Sequence, residues 1–68
     1  MPVTVFIKAT QEKFRGKFAD VRDGRVILFS DARENGDGTL HGCGENTVFR
    51  ADEVDVLAHH RDVEIREE

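Results

Sequence analysis

Several residue types are scarce in this chain, and each absence narrows the possibilities. Tryptophan and tyrosine are absent, cysteine and proline occur once each, and the longest uninterrupted apolar stretch is the four residues from Val26 to Phe29. With Cys43 as the single cysteine no intramolecular disulfide forms, which favours a reducing, cytoplasmic location. A transmembrane helix needs about 18 apolar residues, and the first residues lack the apolar run of a signal peptide, so no membrane association is expected.

The size and charge of the chain point to one small domain with an uneven surface. The 68 residues are 38% hydrophobic and 35% charged, which predicts a single soluble domain over residues 1–68. A core of this size contributes little stability and disulfides are excluded, so a homo-oligomer is expected. Residues 1–34 carry seven basic and five acidic side chains, whereas residues 35–68 carry three basic and nine acidic ones.

The excess of positive charge in the first half has two interpretations. It predicts a basic patch that binds an anionic ligand, formed by Lys13, Arg15, Lys17, Arg22 and Arg25. The other interpretation is that these side chains are solvated strand faces that keep the protein soluble. The net charge of −4 argues against a general nucleic-acid coat, because nonspecific binding to phosphates depends on clustered Lys and Arg.

Alternation of apolar and polar residues predicts strands along most of the chain. A first strand is expected around Val3, Val5 and Ile7, and a second over residues 14–19, with Gly16 at a bend. Asp23-Gly24 predicts a two-residue hairpin, and the following apolar run predicts a strand that is buried on both faces.

The second half predicts shorter strands separated by turns. We expect a hairpin loop over residues 31–38, a bulge or bend over 42–44, and strand character at 47–50, 54–57 and 63–65. Residues 66–68 are expected to fray, and a short helix over 51–59 is an open alternative. The whole pattern predicts an all-β fold, a small and strongly bent five-stranded barrel of SH3-like or Sm-like type.

Metal and catalytic sites find little support in the spacing of residues. Asp31, Asn35 and Gly36 fit a calcium loop, but Arg33 stands where a ligand is needed and the closing glutamate is absent. The remaining metal-ligating types do not have the spacing of a zinc site; they are His41, Cys43, His59 and His60. No nucleophile motif or phosphate loop is present, so we expect a non-enzymatic protein without metal or cofactor. An enzyme using Cys43 and His41 is a lesser alternative.

Two segments resemble the motifs of Sm-like domains. The segment FRGKFADVRDGRVILFSDARE provides the glycine, the hairpin aspartate, the apolar run and the acidic residue of the first motif, which are Gly16, Asp23, Val26 to Phe29, and Glu34. The segment TVFRADEVDVL is similar to the second motif through Val48, Phe49, Arg50, Ala51 and Val54. The resemblance covers residues 16–57 and implies a bent five-stranded barrel that assembles into rings on RNA.

The chain departs from the family pattern where that family binds RNA. Val26 occupies the asparagine position, and Ala51 occupies the glycine position after the arginine. Asp23 lies one place later than the usual aspartate. Arg50 is the residue that carries over, so the resemblance adds it to the candidate ligand-binding residues.

Two functions follow from these observations. The first is an oligomeric binding module that holds a nucleotide or short RNA with Arg50 and the basic patch near a subunit interface. The second is an acidic protein-interaction or inhibitor module, of the kind viruses use to block a host protein. Seven acidic and two basic residues between Asp52 and Glu68 favour the second function.

Overall fold

Six strands and one short helix follow one another in the computed structural model, which describes residues 2–68. They are β1 (Val3–Ile7), β2 (Glu12–Gly16), β3 (Phe18–Arg22), β4 (Arg25–Glu34), β5 (Leu40–Arg50), α1 (Ala58–Asp62) and β6 (Val63–Glu67). The strands form two antiparallel three-stranded sheets, with the orders β2-β1-β6 and β3-β4-β5. The predicted all-β class is confirmed. No helix among residues 2–68 has the length and apolar character needed to cross a membrane.

A sharp bend at Gly16 and Lys17 divides the second predicted strand into β2 and β3. The Lys17 N–H donates to the Phe29 carbonyl oxygen at 2.7 Å, so the chain leaves β1 here and joins β4. A Cβ on Gly16 would lie 2.7 Å from that same carbonyl oxygen, which only glycine avoids. Counted as one bent strand, β2 and β3 leave five strand paths, although no hydrogen-bonded ladder among residues 2–68 joins the two sheets into a closed barrel.

The hydrophobic core lies between the two sheets. Its buried members are Val3, Val5, Ile7, Val26, Leu28 and Val63. Alternation along β1 and β4 brings these side chains to the inner faces, as the sequence pattern predicts. Ile27 and Phe29 point away from this cluster and are also buried, and the Phe29 ring stacks on Phe18 with centroids 4.6 Å apart. The predicted burial of the run from Val26 to Phe29 on both faces of the sheet is therefore confirmed.

The two hairpins differ in how well the sequence predicts them. Asp23 and Gly24 connect β3 to β4 with φ angles of 51° and 74°, the positive values that a tight two-residue turn requires. The second hairpin has a longer first strand and a shorter turn than expected. β4 continues to Glu34, and the turn occupies residues 35–39 instead of 31–38. The register shift lies at Val48, opposite Val26 and Ile27, and not at residues 42–44.

The C-terminal segment is more ordered than the sequence suggests. Residues 51–57 form turns, and helix α1 begins at Ala58, later than the alternative helix over 51–59. Residues 66–68 are expected to fray, but Arg66 and Glu67 belong to β6, which pairs with β1. The Glu68 N–H donates to the Pro2 carbonyl oxygen at 2.9 Å, and the Glu68 carboxylate accepts a hydrogen bond from Thr4. Pairing with the N-terminal strand thus holds the end of the chain.

Substitution of Gly16 tests the bend. Gly16→Ala should lower the free energy of unfolding by about 1–3 kcal/mol, because the new methyl group overlaps the Phe29 carbonyl and the Leu28 side chain. Gly36→Ala is the matched control, since a Cβ on Gly36 meets no atom within 4 Å. Urea unfolding followed by circular dichroism measures both variants, and equal midpoints for the two would contradict the role of the bend.

Candidate functional site

Three arginines form a row across the second sheet at its hairpin end. The strand register places Arg22 opposite Arg25, and Arg25 opposite Arg50, so β3, β4 and β5 each contribute one side chain. Directly opposed side chains leave the same face of a sheet, with Cβ atoms about 4.5–5.5 Å apart. Like charges at such positions repel each other and destabilise the sheet. The row therefore concentrates positive charge at the hairpin end of the second sheet.

The three arginines differ in their internal partners. Arg22 forms an ion pair with Asp20 at 2.7 Å, within the same strand. No ion pair among residues 2–68 includes Arg25 or Arg50. Arg25 is half-buried and Arg50 is exposed. A guanidinium group has five N–H donors and can bind phosphate or carboxylate bidentately.

The tip of the first hairpin packs against the segment that follows β5. The Ala51 N–H donates to the Gly24 carbonyl oxygen at 2.9 Å, which fixes the chain directly after Arg50. A Cβ on Gly24 would lie 3.1 Å from the Val56 carbonyl oxygen, so the two segments are in close contact. Together they line a depression that Arg25 and Arg50 share with Val56.

Three carboxylates line the same depression as the two arginines. They are Asp23 in the hairpin turn, and Asp52 and Glu53 after β5. The Asp52 carboxylate accepts the Val54 N–H at 3.1 Å, which holds it in a turn. None of the three lies within 4.0 Å of a guanidinium nitrogen as an ion pair of residues 2–68. The depression thus presents both signs of charge to a ligand.

The other predicted basic residues lie elsewhere. Lys13 and Arg15 are on the outer face of the first sheet, opposite Phe6 and Thr4, because β2 pairs with β1 before the bend. Arg15 forms an ion pair with Glu68 at 2.7 Å. Lys17 lies at the bend and lines a second depression, between the sheets. The structure therefore brings together Arg22, Arg25 and Arg50, and does not bring Lys13, Arg15 and Lys17 to them.

The carboxylates of the depression are absent from the residues predicted as ligand-binding. The sequence marks Asp23 as a turn residue and as the hairpin aspartate of the first Sm-like motif, and Asp52 and Glu53 as part of an acidic segment. Their meeting with Arg25 depends on the contact between the hairpin tip and residues 51–56, which no local pattern encodes.

The cysteine and histidines do not converge on a common site. Cys43 is half-buried in β5, and His41 Nδ1 lies 2.7 Å from Asn35 Oδ1 near the second hairpin turn. The His59 and His60 rings in α1 are tilted by 37° relative to each other, with centroids 4.1 Å apart. Within residues 2–68 no three side chains of His, Cys, Asp or Glu are grouped so as to hold a metal ion.

In comparisons with known proteins, no protein-family model, no curated protein and no solved structure matches this chain. The geometry of the depression therefore carries the functional interpretation by itself.

Hydrogen bonds to two surface carboxyl groups lower their pKa values and so make the stability of the fold depend on pH. The Arg66 guanidinium donates to Glu64 at 2.9 Å and holds the pKa of that carboxyl below its ordinary value of 4.5. At the second hairpin turn, hydrogen bonds from Thr39 lower the pKa of Asp37 below its ordinary value of 3.8. A group with a lowered folded pKa contributes stability above its unfolded pKa and loses that contribution as the pH falls through the folded value.

Glu64→Gln tests this assignment. The variant should lose stability less steeply than the wild type as the pH falls from about 5 to about 3, because the carboxyl that takes up a proton is gone. Glu12→Gln is the control, since it removes a carboxylate from the same sheet that forms no ion pair within residues 2–68. Unfolding is measured by circular dichroism at each pH. Identical pH profiles for wild type and Glu64→Gln would show that the Arg66 contact has no thermodynamic effect.

Proposed function

We propose that this chain is a non-enzymatic binding module that holds an anionic ligand, a nucleotide or short RNA, at the arginine row. The observation that carries the proposal is the in-register row of Arg22, Arg25 and Arg50, in which Arg25 and Arg50 form no ion pair within residues 2–68. Guanidinium groups at this spacing suit the oxygens of a phosphate.

The stability cost of the row supports a functional role. Opposed like charges destabilise a sheet by a fraction of a kcal/mol, up to about 1 kcal/mol. A neutral side chain at Arg25 or Arg50 would avoid this repulsion without removing a member of the buried core, because neither arginine belongs to it. Positions where a sequence opposes the stability of its own fold are those at which function is expected.

The same proposal includes two structural features, a fold of the small bent barrel type and assembly of the chain into a homo-oligomer. β5 and β6 each end a sheet, and within residues 2–68 they pair only with β4 and β1 respectively. Each of these edge strands also carries a large exposed aliphatic residue, Leu40 in β5 and Ile65 in β6. An unpaired edge is a template for pairing with another chain, and pairing between copies would cover both residues.

A second candidate function rests on the segment that follows β5. Val54 is 92% exposed and Leu57 is 62% exposed, and Glu53 and Asp55 flank Val54 in the chain. The segment is held by turn hydrogen bonds, including Ala58 N–H to the Asp55 carbonyl at 3.1 Å. Ordered, exposed apolar side chains bordered by carboxylates favour docking onto a basic protein surface, which is the acidic interaction or inhibitor module.

Native mass spectrometry of the protein as purified from cells separates the two candidate functions. The anion-binding proposal expects a species of two or more subunits that carries excess mass from a retained nucleotide or RNA. A bare monomer would contradict the oligomeric part of the proposal, because the edge strands would then be unpaired in solution. With no subunit interface and no retained ligand, the acidic interaction module would be the favoured function.

Substitution of the unpaired arginines tests the binding site directly. The double variant Arg25→Gln/Arg50→Gln should weaken binding of adenosine monophosphate at least tenfold, since a hydrogen bond to a charged group contributes roughly 1.5 kcal/mol or more. Isothermal titration calorimetry measures the affinity, and circular dichroism should show an unfolding midpoint at or above that of the wild type, because repulsion is relieved.

The control for this experiment also removes two positive charges, but from the first sheet. Lys13→Gln/Arg15→Gln should change the affinity by less than about twofold, since these side chains are far from the row and contribute only screened, long-range attraction. Equal losses in the two double variants would show that overall charge, and not the row, attracts the ligand.

A further inference from the structure

The depression beside the arginine row contains more carboxylates than arginines. Arg25 and Arg50 share it with Asp23, Asp52 and Glu53, and no ion pair within residues 2–68 joins the two sets. A site built only to attract negative charge would not have three carboxylates at its border. A general affinity for anions does not explain why these three carboxylates lie beside the arginines.

The carboxylates act on two properties of a ligand at once. Each repels negative charge, so a ligand with several charges on adjacent groups, such as pyrophosphate, loses much of what the arginines contribute. Each also accepts hydrogen bonds, which a hydroxyl or amino group supplies and a bare phosphate dianion supplies poorly. The pair of effects favours a ligand with one phosphate and several hydrogen-bond donors.

The positions of the carboxylates match such a ligand. Asp23 lies in the hairpin turn between Arg22 and Arg25, and Asp52 and Glu53 follow Arg50 in the chain, so carboxylates from both segments line the depression with the two arginines. Asp52 is held by the Val54 N–H, which orders one acceptor in advance of binding. Val56 supplies apolar surface in the same depression. A sugar diol and a base with amino groups can meet these acceptors while one phosphate meets the arginines.

We propose that Asp23, Asp52 and Glu53 make the site selective for a nucleoside monophosphate unit, free or within a single strand, over inorganic phosphate and polyphosphates. This inference rests on the proposed anion-binding function and adds to it the class of ligand and the residues that set the selectivity. The arginines hold the phosphate, and the carboxylates accept hydrogen bonds from the sugar hydroxyls or the base amino group. Carboxylates are well suited to a ribose diol.

The test compares ligands of different charge on the same protein. Titration calorimetry with adenosine monophosphate, inorganic phosphate, pyrophosphate and hexa-adenylate should show the monophosphate binding at least tenfold more tightly than pyrophosphate, despite its lower charge. Hexa-adenylate binding more than tenfold more tightly than the monophosphate assigns the unit to a strand. Equal affinity per nucleotide assigns it to a free nucleotide.

Neutral variants test whether the carboxylates set this order. Asp52→Asn/Glu53→Gln should strengthen pyrophosphate binding about tenfold and weaken monophosphate binding. Asp31→Asn/Glu34→Gln, which removes the same charge from the far end of β4, should leave the ratio of the two affinities unchanged. Circular dichroism confirms that each variant is folded.

The possible failures are distinct. If pyrophosphate binds the wild type as tightly as the monophosphate does, or if the two double variants have the same effect, the selectivity inference is wrong and the arginine row remains an anion site. If none of the four ligands binds the wild type, the proposed function is itself wrong, and the selectivity inference is wrong with it.

Discussion

The hydrogen bond from the Lys17 N–H to the Phe29 carbonyl is the contact on which the arrangement of this protein depends. It passes the chain from β1 to β4, so that one bent stretch belongs to both sheets. The bond forms because Gly16 has no side chain to separate the two backbones. With the bend in place, the apolar faces of β1 and β4 face each other and the core closes over a small number of valine, isoleucine and leucine side chains. The same bend determines which charged residues become neighbours.

Much of the fold follows from local patterns, and the parts that do not are those set by distant contacts. β1, the Asp23-Gly24 turn and the burial of Val26 to Phe29 depend on alternation and turn chemistry within a few residues, so the sequence predicts them. The length of β4 and the position of the bulge at Val48 depend on the β4 and β5 register, which joins residues far apart in the chain. The order of residues 66–68 likewise depends on pairing with the N-terminal strand.

The candidate site shows the same division. In the sequence, a motif identifies Arg50, and the density of basic residues identifies Arg22 and Arg25. A list of basic residues does not reveal which of them are neighbours in the fold. Lys13 and Arg15 precede the bend and turn to the first sheet, so the predicted patch is divided between two surfaces. The pairing of Arg25 with Arg50 spans 25 positions and depends on the bulge for its register. No pattern of nearby residues contains that information.

Pairing between the two ends of the chain also changes the meaning of the charge distribution. By sequence the first half is basic and the second half acidic, which suggests two faces of opposite sign. In the fold, β6 lies beside β1, Glu68 is paired with Arg15 and Glu64 is paired with Arg66, so these two arginines on the outer face of the first sheet are matched locally. Charge that is matched locally exerts little force on a distant ligand. At the hairpin end of the second sheet, Arg22 is paired with Asp20, whereas Arg25 and Arg50 stand opposite each other and form no ion pair within residues 2–68. The overall charge of −4 therefore says little about the local distribution of charge, because the fold pairs Arg15, Arg22 and Arg66 with carboxylates and leaves Arg25 and Arg50 without an ion pair within residues 2–68.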